Sequence, residues 1–116
     1  MKYDPETLMN RMTELGRELS TENDDFQNLG EEMAMAEREY NVKNKQEILQ
    51  LRADQYSVTL SEKIARGTPE VANALLNFRI AEVKYKSSKN KLEMIKTKMN
   101  ALQSFLAFLR AEMERS

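Results

Sequence analysis

Residues 71–113 carry an unbroken seven-residue rhythm, and no other feature limits the possible folds as strongly. Val71, Ala74, Phe78, Ala81, Tyr85, Ser88, Leu92, Ile95, Met99, Leu102, Leu106, Leu109 and Met113 alternate at spacings of three and four. An average period of 3.5 residues places them on one stripe of an α-helix, the seam of a coiled coil. A stripe this long has to be covered by another helix. Composition agrees, since 32% of the 116 residues are charged and only three are Gly and two Pro, which favours long helices over a mixed α/β core.

A partner helix is available in the same chain. Leu8, Met12, Leu15 and Leu19, then Phe26, Leu29, Met33, Ala36 and Tyr40, repeat the same spacing. The phase slips over 41–48 and resumes through Leu49, Ala53, Tyr56, Leu60 and Ile64. Between the two runs lies Ala65-Arg66-Gly67-Thr68-Pro69-Glu70. Gly67 suits the left-handed position after a helix, and Thr68 suits a cap with Pro69 as the first residue of the next helix. Asp4-Pro5-Glu6 is a second cap-and-proline start.

Folding the chain at 67–68 makes facing residue numbers sum to about 135, so that Ile64 meets Val71, Tyr56 meets Phe78, Leu49 meets Tyr85 and Tyr40 meets Ile95. Glu39 then lies beside Lys96 and Glu37 beside Lys98. The expected architecture is all-α: an antiparallel two-helix coiled-coil hairpin with its turn at 66–69, a first arm over 21–66 and a second over 69–115. Residues 5–20 form a further helical segment. A break is possible in the weakly helical stretch 20–24, and Gly30 is a soft spot.

Two apolar surfaces are left over at that register. Leu8, Met12 and Leu15 have no partner, and Leu75, Leu76, Ile80, Val83, Phe105 and Phe108 widen the second arm beyond what one helix covers. Self-assembly through these residues is the economical expectation; folding back of residues 5–20 as a third helix is the alternative.

Chemistry is sparse. His and Cys are absent, which removes the usual general base, thiolate nucleophiles and disulfides. The glycines at 16, 30 and 67 are isolated and form no phosphate loop. Asp24-Asp25 and Glu31-Glu32 match no calcium loop and read as a solvated acidic face. Most of the eight methionines, Met12, Met33, Met99 and Met113 among them, are better explained by packing than by promiscuous binding. The chain is therefore expected to be no enzyme, with no cofactor and no small-molecule substrate. The polar start and the lack of a long apolar run point to a cytoplasmic protein with no membrane partner.

Charge is distributed unevenly. Residues 1–40 hold four basic and eleven acidic side chains, 41–75 five and four, and 76–116 nine and four. Two mutually neutralising arms, or a basic face for a polyanion, would both give this pattern. The register at 135 would gather Lys43, Lys45 and Arg52 with Lys84, Lys86, Lys89 and Lys91, near Tyr40 and Tyr85, a surface suited to a nucleic-acid backbone. The plainer reading has both tyrosines in the seam and the lysines solubilising.

Arg52-Ala53-Asp54-Gln55-Tyr56 and Met99-Asn100-Ala101-Leu102-Gln103-Ser104 resemble segments of the recombination-mediator family of T4-like bacteriophages: an Arg-x-Asp-x-Tyr stretch beside its DNA-binding residues, and its C-terminal helix. The resemblance spans roughly residues 45–110. It implies a small oligomeric protein that binds single-stranded DNA in the infected host cell and helps a recombinase displace single-strand-binding protein, with Arg52 as the position carried over for DNA contact. A position that is basic in that family is Gln50 here. Beside this stand two other expectations, a coiled-coil scaffolding or adaptor protein, as in virion assembly, and an acidic inhibitor imitating nucleic acid through Glu31, Glu32, Glu37 and Glu39.

Overall fold

The computed structural model describes residues 4–115 and places them in three α-helices, with no strand among the described residues. They are α1 (Pro5–Ala53), α2 (Val58–Gly67) and α3 (Pro69–Arg115). The all-α expectation is met. The chain divides into two compact units: unit 1 comprises Met1–Gln27 with Ser87–Ser116, and unit 2 comprises Asn28–Lys86.

Local chemistry explains each helix end. Asp4 caps α1, its carboxylate accepting the Thr7 N–H at 2.8 Å and the Thr7 hydroxyl at 3.0 Å, with Pro5 as first helical residue. No break occurs at 20–24; α1 runs through it. The break comes at 54–57. There the Tyr56 N–H donates to the Leu51 carbonyl at 3.1 Å and the Gln55 N–H to the Arg52 carbonyl at 3.0 Å, the paired bonds of a Schellman motif. Gln55 takes the left-handed position, φ 72°, where glycine is usual. The Arg52 Nη1 donates to the Tyr56 carbonyl at 3.1 Å and closes the turn. Ser57 then caps α2, accepting from the Leu60 N–H at 3.2 Å.

The 66–69 junction differs from its expected form. Gly67 is the last residue of α2 and has no positive φ; Thr68 is extended, φ −66° and ψ 132°. Its N–H donates to the Ala65 carbonyl and its hydroxyl to the Ile64 carbonyl, so its side chain serves the end of α2 instead of capping α3.

The helices pair at another register. In unit 2 the rings of Tyr40 and Phe78 stack at 6.4 Å, and Tyr85 lies 3.4 Å from where a side chain on Gly30 would begin. In unit 1 the Ser88 hydroxyl donates to Glu22 Oε1 at 3.1 Å, and Met9 and Met12 share a groove with Leu106, Leu109 and Met113. In each unit α1 and α3 therefore run antiparallel, with facing numbers summing to about 115, not 135. That sum puts the chain reversal at 54–57. The offset of about twenty residues is close to three heptads, and a slide of whole heptads presents the same rows to each other. Periodicity alone could not choose between these registers; the Schellman turn does.

The α3 seam is met almost residue for residue: Val71, Ala74, Ser88 and Leu92 are buried, and every other seam position through Leu109 is half-buried. On α1 the phase slips within 41–48 as expected, by one residue: after Tyr40 the seam steps by four to Asn44 and Ile48 and reaches buried Leu51, not Leu49. Leu49, Tyr56, Leu60 and Ile64, expected in the seam, are 37–60% exposed.

Candidate interaction surface

Within unit 2, Lys84 and Lys86 are not brought together with Lys43, Lys45 and Arg52. With numbers summing to about 115, Lys84 lies level with residue 31 of α1 in unit 2, so Lys43 is about a dozen residues, ~18 Å, further along that helix. Lys45 and Arg52 are further still. Lys43 pairs with Glu39 at 3.1 Å and Lys86 reaches Glu82 at 4.0 Å. The expected Glu39–Lys96 and Glu37–Lys98 pairings do not belong to this register. Instead Asp25 lies level with Lys91 in unit 1, and Glu32 with Lys84 in unit 2, on the same side of the seam. The ion pairs that geometry gives among the described residues, such as Arg11–Glu14 and Arg79–Glu82, each lie within a single helix. Unit 1 spans nine basic and ten acidic side chains and unit 2 nine of each, so neither carries the excess positive charge that marks a polyanion-binding surface. Tyr40 and Tyr85 are half-buried against α3 and α1 and do not stand free for base stacking.

Of the residues expected to mediate self-association, three are taken up inside the fold. Leu8 and Leu15 are buried, at 7% and 1% exposure, and Met12 is half-buried in the groove with Leu106 and Leu109. Residues 5–20 have a partner after all, because the register moved. Leu75 and Phe105 are half-buried, the latter 6.4 Å from Phe108 ring to ring. Leu76, Ile80, Val83 and Phe108 remain open, at 45–66%.

Unit 2 exposes more apolar surface than this. On α1, Met35, Val42 and Leu49 follow one another at seven-residue intervals, all exposed. α2 has its burial inverted: Ser61 and Ala65 are fully buried while Val58, Leu60 and Ile64 stay 37–52% exposed. Small residues let α2 lie close against its neighbours, and its bulky side chains are left outside. With Tyr56, Leu76, Ile80 and Val83, ten large apolar side chains of unit 2 are at least 37% exposed.

Along α3 the outward positions form a second stripe. Leu76, Ile80, Val83, Ser87, Asn90, Met94, Thr97, Ala101, Ser104, Phe108 and Ala111 alternate at four and three residues, all exposed and none charged. They lie about 160° around the helix from the seam. Reading for bulky residues alone found four of the eleven; the signal that identifies the rest is the absence of charge at a coiled-coil spacing. The matching back positions of α1 mix charged Glu14, Arg17, Asp24, Glu31, Arg38, Lys45 and Arg52 with Thr21, Asn28, Met35, Val42 and Leu49.

Grooves elsewhere are open. One in unit 1, about 490 Å³, is lined by Pro5, Met9, Met12, Thr13, Leu106, Leu109, Arg110 and Met113. No group of three or more His, Cys, Asp or Glu able to hold a metal ion occurs among the described residues, and no helix is long and apolar enough to cross a membrane. Comparison with protein-family models, curated proteins and solved structures finds no match.

Proposed function

We propose that this chain is a non-catalytic coiled-coil interaction protein, an antiparallel helical hairpin that works by offering its outer apolar surface to another protein chain. The ten exposed large side chains of unit 2 carry the reading. Burying one aliphatic side chain completely is worth roughly 1.5–3 kcal/mol, and patches of this extent on a small soluble domain mark docking surfaces. A scaffolding or adaptor role follows from such a surface, and the protein itself is one candidate partner. Light scattering and native mass measurement of the purified chain test this: association that Val42→Lys or Ile80→Lys weakens is expected, and a strict monomer indifferent to both, with or without partners, overturns it.

Single-stranded DNA binding is the second reading. Lys84, Lys86, Lys89 and Lys91 occur within eight residues of α3, all exposed, and this density favours some contact with a phosphate backbone. Arg52, the position carried over from the phage recombination mediators, already donates to the Tyr56 carbonyl. An oligonucleotide titration decides: backbone binding weakens steeply with salt and with Lys84→Glu and Lys91→Glu, whereas no affinity at low salt removes this reading.

A further inference from the structure

The turn at 54–57 is made by a sequence with no need to turn. Residues 31–66 contain no Gly and no Pro, so they carry no strong helix stop, yet α1 ends at Ala53 and α2 begins at Val58. Among the described residues Gln55 alone has a positive φ, at 72°. A short hinge held in a strained backbone invites copies of a chain to exchange elements, because exchange lets the hinge relax. Asp54, Gln55, Tyr56 and Ser57 are all exposed, so straightening them uncovers no buried side chain.

We propose that two copies of this chain exchange α1 by opening this turn. Residues 54–57 become helical, α1 and α2 join into one helix, and the α1 of each copy packs on the α3 of the other. The α1–α3 contacts inside unit 1 and inside unit 2 are all kept, now made between chains. This goes beyond docking through an outer face, since no outer face is used. The joined helix also gains a contact. Leu51, Val58 and Ala65 then follow at seven-residue intervals; Leu51 and Ala65 are buried already, and Val58 is 52% exposed. With facing numbers still summing to about 115, Leu51 meets Ala65 of the other copy and Val58 meets Val58 on the two-fold axis. Opening therefore covers an apolar side chain that the turn leaves wet.

Magnitudes set the concentration at which the two forms compete. A non-glycine residue in the left-handed conformation is disfavoured roughly fivefold, and a dimer relaxes two hinges, so release contributes about 25-fold to association. Against this stands the closeness of helices joined in one chain, an effective concentration on the order of 1 mM for a short link. Exchange therefore competes at roughly tens of micromolar protein. It also requires α1 to leave α3, so a dimer formed by refolding concentrated protein persists on dilution.

Sedimentation of the full chain, refolded from urea at low and at high protein concentration, tests the proposal. Gln55→Gly fits the left-handed position and disfavours a continuous helix, and should lower the dimer at least tenfold. Ser57→Ala removes the cap of α2 while suiting a continuous helix, and should raise the dimer several-fold. An unchanged helical spectrum shows that each variant folds. A dimer indifferent to both hinge variants but weakened by Ile80→Lys overturns the exchange and supports the outer surface of unit 2. A protein that stays monomeric after refolding at every concentration, Ser57→Ala included, overturns the exchange and leaves that surface to other partners. Because the chain has no cysteine, the exchange is also read directly. Glu22 and Ser88 bond at 3.1 Å, so a Glu22→Cys protein refolded together with a Ser88→Cys protein should be joined, in the dimer fraction, by a short bifunctional thiol reagent. The variant carrying both cysteines closes within the monomer and serves as the control. A dimer fraction that stays unjoined while the control closes overturns the exchange.

Discussion

Gln55 is the residue on which the arrangement of this chain turns. Its left-handed backbone lets the Leu51 and Arg52 carbonyls be satisfied by Tyr56 and Gln55, and an L residue other than Gly pays about 1 kcal/mol to sit there. Gln55→Gly should accordingly stabilise the protein by roughly 0.5–1 kcal/mol, read as a higher urea midpoint at unchanged slope. Asp4 contributes differently. The Thr7 N–H, followed by the Thr7 hydroxyl, holds its carboxyl below the usual value. A lowered folded-state pKa gives a contribution present above the unfolded value and lost as pH falls, so the first turn of α1 should fray below about pH 4. Amide exchange at Thr7 will accelerate on acidification, and Asp4→Asn will remove that dependence. Asp4 and Pro5 were readable because cap and proline are adjacent in sequence. Gln55 was not, since nothing in Ala53-Asp54-Gln55-Tyr56 demands a left-handed residue, and Gly67 offered the more conventional candidate.

Among the helices, α2 is the element that sequence periodicity misplaced. Leu49, Ala53, Tyr56, Leu60 and Ile64 form a creditable heptad row, yet the seam side of α2 is Ser61 and Ala65. A search for bulky residues reads such a helix backwards, because close approach selects small ones. Ser61 also keeps a buried hydroxyl without a hydrogen-bond partner. Removing an unsatisfied buried polar group while keeping helix propensity should help, so Ser61→Ala is expected to raise stability by about 1 kcal/mol in chemical denaturation. The α3 seam was legible from Val71 to Leu109, where twelve positions stay in phase, and failed only at Met113, which is 67% exposed. Its outward stripe was legible only in part, since Ser, Asn, Thr and Ala attract no notice until the missing charges are counted.

For the molecule as a whole, the acidic beginning and basic end of the sequence were visible from composition, but their meaning depended on register. At a sum of 135 the lysines would gather; at about 115 Lys91 and Lys84 are level with Asp25 and Glu32 of α1. Exposed pairs of this kind are weak individually, 0–1 kcal/mol, and act by alignment. In unit 1, Asp25→Lys should cost up to about 0.5 kcal/mol and Lys91→Asp in the same chain should restore it, a coupling that a double-mutant cycle measures and added salt erases. The hydrogen bond between Ser88 and Glu22 has a larger consequence. Two repeating helices resemble a ladder with unnumbered rungs, on which every heptad step looks alike. A slide of one heptad would bring Ile95 against Glu22, setting a carboxylate on an aliphatic side chain and stranding its charge. The Glu22–Ser88 pair therefore numbers one rung of unit 1, and the count of its neighbours there follows from it.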